Sequence, residues 1–91
     1  MGVKRDLALL IDSSVTMAQV EAAVRESERK LLKDVTLFDV YEGDKLPEGK
    51  KSYAISLTLR DDEKTLQDKH IDAVMNKVIA NVKKRLGAEL R

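Results

Sequence analysis

Ser52-Tyr53-Ala54-Ile55-Ser56-Leu57-Thr58-Leu59 alternates without a break. Tyr53, Ile55, Leu57 and Leu59 point one way and Ser52, Ala54, Ser56 and Thr58 the other, the period-two pattern of a strand with one buried face and one face of small, mostly polar side chains. Upstream, residues 42–50 hold Gly43, Pro47 and Gly49 with charges between them, a composition that suits a long hairpin connection. Leu32 to Tyr41 returns to period two and reads as the partner strand, with Phe38 and Val40 on its core face and Leu37, Asp39 and Tyr41 on the other.

Further upstream, Thr16 with Gln19 makes a capping box, and Val15 with Val20 a hydrophobic staple, so a helix is expected to begin at Met17. Val20, Ala23, Val24, Ser27 and Leu31 recur at spacings of three and four and form its inward stripe, with the end expected near Arg29 or Lys30. Before it, Arg5 to Asp12 alternates again, Leu7, Leu9 and Ile11 against Asp6, Ala8 and Leu10, until Asp12-Ser13-Ser14 breaks the strand. Downstream, Thr65 with Asp68 repeats the cap pattern ahead of an apolar stripe, Ile71, Val74, Met75, Val78, Ile79, Val82 and Leu86, which defines a second helix. Lys83, Lys84 and Arg85 complement its C-terminal dipole, and Gly87 is placed to close it. The tail, Ala88 to Arg91, alternates and is expected to be a fourth strand. The order βαββαβ predicts an α+β, ferredoxin-like fold, two helices on one face of a four-stranded antiparallel sheet, as in RRM-type domains. The helix-free face would then carry Ala8, Leu10, Leu37, Asp39, Tyr41, Ser52, Ala54, Ser56, Thr58 and Arg91.

Ninety-one residues are expected to form a single domain over 1–91, with 43% hydrophobic and 36% charged residues in ordinary globular proportion. Met1-Gly2 ahead of Val3 reads as an expression start on an excised fragment. Without cysteine there is no disulfide and no thiolate metal site, which fits a cytoplasmic origin. The apolar runs at Leu7–Ile11 and Ile55–Leu59 are far shorter than the roughly 20 residues of a membrane helix, so no membrane partner is expected. A net charge of +1 supplies no general attraction for nucleic acid, and DNA is not an expected partner.

Few residues invite chemistry. His70 is the only histidine, too little for a zinc site, and is expected on the surface of the second helix. Asp61-Asp62 and Asp12-Ser13 occupy turns and helix entries, where such residues serve the backbone rather than acid–base work. The turn after the first strand lacks the glycines of a phosphate loop and the arginine of an acylphosphatase-like site. No catalytic residue, metal or cofactor is expected. Of the three aromatics, Phe38 and Tyr53 are expected in the core, leaving Tyr41 as the exposed candidate for stacking on a base. Lys45, Lys50 and Lys51 flank the hairpin loop, within reach of phosphates or as plain solubilising charges.

More specific is a succession of short motifs: Arg5-Asp6-Leu7-Ala8, Leu37-Phe38-Asp39-Val40-Tyr41-Glu42-Gly43, Leu46-Pro47-Glu48-Gly49-Lys50-Lys51-Ser52-Tyr53-Ala54, Arg60-Asp61 and Thr65-Leu66. Their order and separation resemble the C-terminal domain of bacterial phenylalanyl-tRNA synthetase beta subunits, over essentially the whole chain. The resemblance implies a ferredoxin-like module whose helix-free face contacts the anticodon of tRNA-Phe. Aminoacylation with ATP and magnesium then occurs elsewhere, in an α2β2 parent formed with the alpha subunit and the rest of the beta subunit. The family's anticodon-contacting aspartate, serine and terminal arginine match Asp39, Ser52 and Arg91; Tyr41 is added here because it neighbours Asp39. Two other functions share the element order. One is an amino-acid-binding regulatory module of the ACT type, which would dimerise; the other is a structural domain that docks a protein on its sheet.

Overall fold

In the computed structural model, which describes residues 2–91, the elements are β1 (Val3–Asp12), α1 (Met17–Ser27), β2 (Leu32–Tyr41), β3 (Lys50–Leu59), α2 (Asp68–Leu86) and β4 (Glu89–Leu90). The strands form one antiparallel sheet in the order β2-β3-β1-β4. The two long central strands pair over their whole length, Val3 with Leu59 through Asp12 with Lys50. Leu9, Ile11, Ile55, Leu57 and Leu59 pack from the sheet against Val20 and Val24 of α1 and Ile71, Val74, Val78 and Val82 of α2. Both helices therefore lie on one side, and the other sheet face is free of them. The ferredoxin-like α+β architecture is as expected from the pattern.

Local chemistry explains where the elements begin and end. The Thr16 hydroxyl accepts from the Gln19 amide at 3.2 Å while the Gln19 side chain accepts from the Thr16 amide at 2.9 Å, closing the capping box at the start of α1. The helix stops at Ser27 rather than near Lys30. The Glu28 carboxylate accepts from the amides of Lys30 and Leu31, both at 3.1 Å, which turns the chain into β2 and leaves Leu31 packed on the core from outside the helix. The second cap pattern is also displaced. Helix α2 starts at Asp68 after Gln67, which makes no side-chain cap bond, so Thr65 stays in the loop. At the far end Gly87 has a left-handed φ of 66°. Its amide donates to the Lys83 carbonyl at 2.9 Å and that of Ala88 to the Val82 carbonyl at 3.3 Å, closing the helix through a backbone conformation that glycine adopts at low cost. His70, expected on the surface, is half-buried in the first turn of α2, with Nδ1 lacking a hydrogen-bond partner among the described residues.

The outer sides of the helices are joined by polar contacts. Arg85 Nε donates to Glu26 at 2.9 Å, and Asn81 Nδ2 donates both to Glu26 and to the Ala23 carbonyl. The hydrogen bonds from Arg85 and then Asn81 hold the Glu26 carboxyl below its ordinary 4.5. Glu28 is also held below 4.5. Partial burial pushes its carboxyl up, but the amides of Leu31 and Lys30 and the ammonium of Lys77 pull it down further. A folded-state pKa below the unfolded one means that the unfolded chain takes up protons first. This share of stability is complete above the usual carboxylate range and disappears as pH falls through the lowered values. Melting temperature is thus expected to fall from about pH 5 downward, and the double variant Glu26→Gln/Glu28→Gln to show a shallower fall over the same range by circular dichroism.

Candidate nucleic-acid interface

The helix-free face is built from every second residue of the central strands. Across β1 and β3 the facing pairs are Leu10 with Ser52, Ala8 with Ala54, Asp6 with Ser56 and Lys4 with Thr58. The two alanines and three short hydroxyl side chains keep the middle of the face low, so a flat partner can approach the sheet closely. On the β2 side Tyr41 pairs with Ser52, Asp39 with Ala54, Thr36 with Ser56 and Asp34 with Thr58. On the other edge the Arg91 amide donates to the Ala8 carbonyl at 2.9 Å, which continues the β4 pairing by one residue.

Asp39 and Tyr41 of β2, Ser52 of β3 and Arg91 directly after β4 come together here. Tyr41 and Arg91 belong to opposite edges of the sheet, about three strand spacings of ~4.8 Å apart. The Arg91 guanidinium nevertheless lies 5.1 Å from the Tyr41 ring centroid, a cation–π contact. The two long side chains must cross the central strands to meet, and Ser52 between them is only 4% exposed. Asp39 is exposed next to this bridge and, among the described residues, forms no ion pair. At the hydroxyl end of Tyr41, Gly43 leaves room that a side chain would fill. A Cβ there would sit 2.7 Å from the Tyr41 hydroxyl and 2.9 Å from Cζ. Gly43→Ala is expected to swing the Tyr41 ring away from Arg91 while leaving the melting temperature within a few degrees, because the displaced atoms are the free end of a side chain. The loss of ring-current shift at the Arg91 side-chain protons would report it.

Two sequence expectations are corrected on this face and its reverse. Phe38 was expected in the core, but the residue is 56% exposed and lines a concavity of about 490 Å³ on the helix-free side with Asp34, Thr36, Ser56 and Thr58. Leu37 was expected on the free face and instead packs against the core opposite Ile55. The cause is a bulge. The register of β2 slips between Leu37 and Asp39, so the residues before it alternate in one phase and those after it in the other. Val40 keeps its expected side, paired with the core residue Tyr53, yet is 48% exposed, at the end of the sheet where the connection to β3 begins.

The lysines divide. Lys45 is exposed in the connection between β2 and β3, and Lys50 shares the phase of Ser52 on the free side, its Nζ 3.7 Å from Asp12. Lys51, read from the sequence as either a phosphate contact or a solubilising surface charge, is buried in the phase of Tyr53, on the helix side. Its ammonium donates to the Tyr53 hydroxyl at 2.9 Å and lies 4.4 Å from that ring's centroid, so it is turned away from anything seated on the free face. No group of carboxylates and histidines able to hold a metal ion occurs among the described residues, and no helix is long and apolar enough to cross a membrane.

The helix-free sheet of this ferredoxin-like α+β domain gathers a carboxylate, a hydroxyl, a guanidinium and an aromatic ring over a floor of small residues, the makings of a binding surface and not of a catalytic centre. Comparison with known proteins gives that class its family. Residues 2–91 match the ferredoxin-fold anticodon binding domain, and the chain belongs to that family. It is similar to the phenylalanine–tRNA ligase beta subunit of Porphyromonas gingivalis, 58% identical over 89 residues that cover 98% of this chain and 11% of that protein. Similarity to the beta subunits of Bacteroides fragilis and Geobacillus kaustophilus is 56% and 49% over 90 residues, 99% of this chain and 11% of each relative. The chain thus spans about a ninth of the length of the relatives it matches.

Proposed function

We propose that the helix-free face reads the anticodon of tRNA-Phe as one module of a phenylalanine–tRNA ligase, with aminoacylation, and the ATP and magnesium it uses, handled elsewhere in a cytoplasmic parent enzyme with an alpha subunit. The observation that carries this reading is the convergence of Asp39, Tyr41, Ser52 and Arg91 on one face of a chain matched by the anticodon-binding family along residues 2–91. Asp39 supplies acceptors only and so selects base N–H groups, whereas the Ser52 hydroxyl both donates and accepts. A base that stacks on Tyr41 takes the place that the guanidinium holds in the unbound chain. That movement uncovers Ser52 and frees Arg91 to pair with a phosphate or to close over the base. Lys45 and Lys50 are the phosphate contacts available at that end of the sheet. With a net charge of only +1, nonspecific attraction is small and discrimination comes from the base edges.

The test is an NMR titration of the labelled chain with the tRNA-Phe anticodon stem-loop, beside a stem-loop with altered anticodon bases. Shifts at Asp39, Tyr41, Ser52 and Arg91 that are larger with the first RNA are expected. Equal responses to both, or shifts confined to α1 and α2, would refute base reading by this face.

A further inference from the structure

We propose that Phe38 is the stacking platform of a second base subsite on the helix-free face, one that takes another unpaired nucleotide of the same anticodon loop. The proposal rests on the anticodon reading above and extends it along the sheet. The chain has three aromatic rings: Tyr53 is buried, Tyr41 lies under Arg91, and Phe38 presents 56% of its surface to solvent. A ring this exposed contributes little to the core. The bulge that turns it outward also brings Asp39, the next residue, onto the same face, so the two placements have one cause.

The surroundings of the ring suit a nucleotide better than a protein. Its concavity of about 490 Å³ is bordered by the hydroxyl residues Thr36, Ser56 and Thr58, the acidic Asp6 and Asp34, and the basic Lys4 and Arg5. These are edge partners for a base and a cation for its phosphate beside one flat apolar plane, as in single-strand binding, where a stacked base is sequence-tolerant and its edge contacts are selective. A docked protein would call for further large apolar side chains around the ring, and that border offers none. The concavity and the first site lie on one face of the sheet. Thr36–Ser56 and Tyr41–Ser52 are cross-strand pairs on the same face, and Ser52 and Ser56 are about 13 Å apart along β3 at ~3.3 Å per residue. A single strand laid along the sheet would cover both.

The test uses the full chain and tRNA-Phe anticodon stem-loops carrying the fluorescent base 2-aminopurine at one loop position at a time. Phe38→Ala is expected to abolish quenching at one position and to weaken binding about tenfold, the loss of one stacked base, without lowering the melting temperature. Asp39→Ala is expected to affect a different position. Because the chain contains no tryptophan, Phe38→Trp supplies a single reporter whose emission the unlabelled stem-loop should quench. If Phe38→Ala binds as tightly as the parent chain with every quenching position intact while Asp39→Ala binds weakly, the subsite is refuted and the anticodon reading stands. If the parent chain binds no stem-loop, the anticodon reading falls and the subsite with it. Emission from Phe38→Trp that changes with protein concentration alone would place a second copy of the chain on the ring and overturn the proposal.

Discussion

Asp39→Ala is expected to weaken binding of the tRNA-Phe anticodon stem-loop roughly ten- to a hundredfold with no loss of folded stability. The carboxylate is exposed on an edge strand and contributes nothing to the core, so its removal leaves the unbound chain intact. In the complex the same substitution leaves base N–H groups, already stripped of water against the sheet, without acceptors. A hydrogen bond to a charged group contributes about 1.5–3 kcal/mol, which is the fold-change stated. Asp39→Asn separates charge from geometry. An amide keeps the shape but offers donors where the carboxylate offered only acceptors, so it should lose affinity for the cognate loop and gain it relative to loops that present acceptors there. Fluorescence titration of both variants against cognate and altered stem-loops, with melting curves alongside, reads all of this. Unchanged affinity in Asp39→Ala would remove this residue from the interface.

Leu57→Ala should have the largest effect on the fold itself. Leu57 is fully buried on β3, a central strand, between Arg5 of β1 and Val35 of β2 and beneath the helix layer. Truncating such a leucine removes its transfer free energy and leaves a cavity that a sheet paired on both sides cannot collapse into, a loss of about 2–5 kcal/mol. Domains of this size have a total stability of about 5–15 kcal/mol, so the variant sits near the limit of folding. At roughly 4–8 °C per kcal/mol, its melting temperature should drop by about 8 °C or more. Urea unfolding monitored by circular dichroism would check it. Phe38→Ala removes a larger side chain and should leave the midpoint almost unchanged. The contrast between the two variants measures the inside and outside of one sheet.

Much of the candidate site was legible because a strand carries its orientation in every second residue. Asp39, Tyr41 and Ser52 occupy the face that alternation assigns them, and Gly87 and Thr16 act at the helix ends where their backbone chemistry places them. Phe38 was not legible as a face residue under a single unbroken period. A signal was nonetheless present in the segment Val35-Thr36-Leu37-Phe38-Asp39-Val40-Tyr41. Its odd positions are apolar up to Leu37 and then turn to Asp39 and Tyr41, a change of phase that a pleated strand can accommodate only by inserting an extra residue. The end of α1 was missed for a different reason. Its apolar stripe continues to Leu31, but the Glu28 carboxylate competes for the amides that a continuing helix would have used. Lys51 was misjudged because its position next to a loop was read in place of its phase within β3.

Local periodicity and end chemistry by themselves determined the element order, the ferredoxin-like class and most of the residues on the free face, since these depend on neighbours within a few positions along the chain. What only the tertiary structure decided were relations between distant segments: the slip in β2 that exposes Phe38, the reach of Arg91 across three strand spacings to Tyr41, and the room beside Tyr41 that Gly43 preserves. A bulge is set by which cross-strand pairs pack best once both strands are present, and a side chain's reach by what the sheet brings beneath it. Neither is contained in any short stretch of sequence.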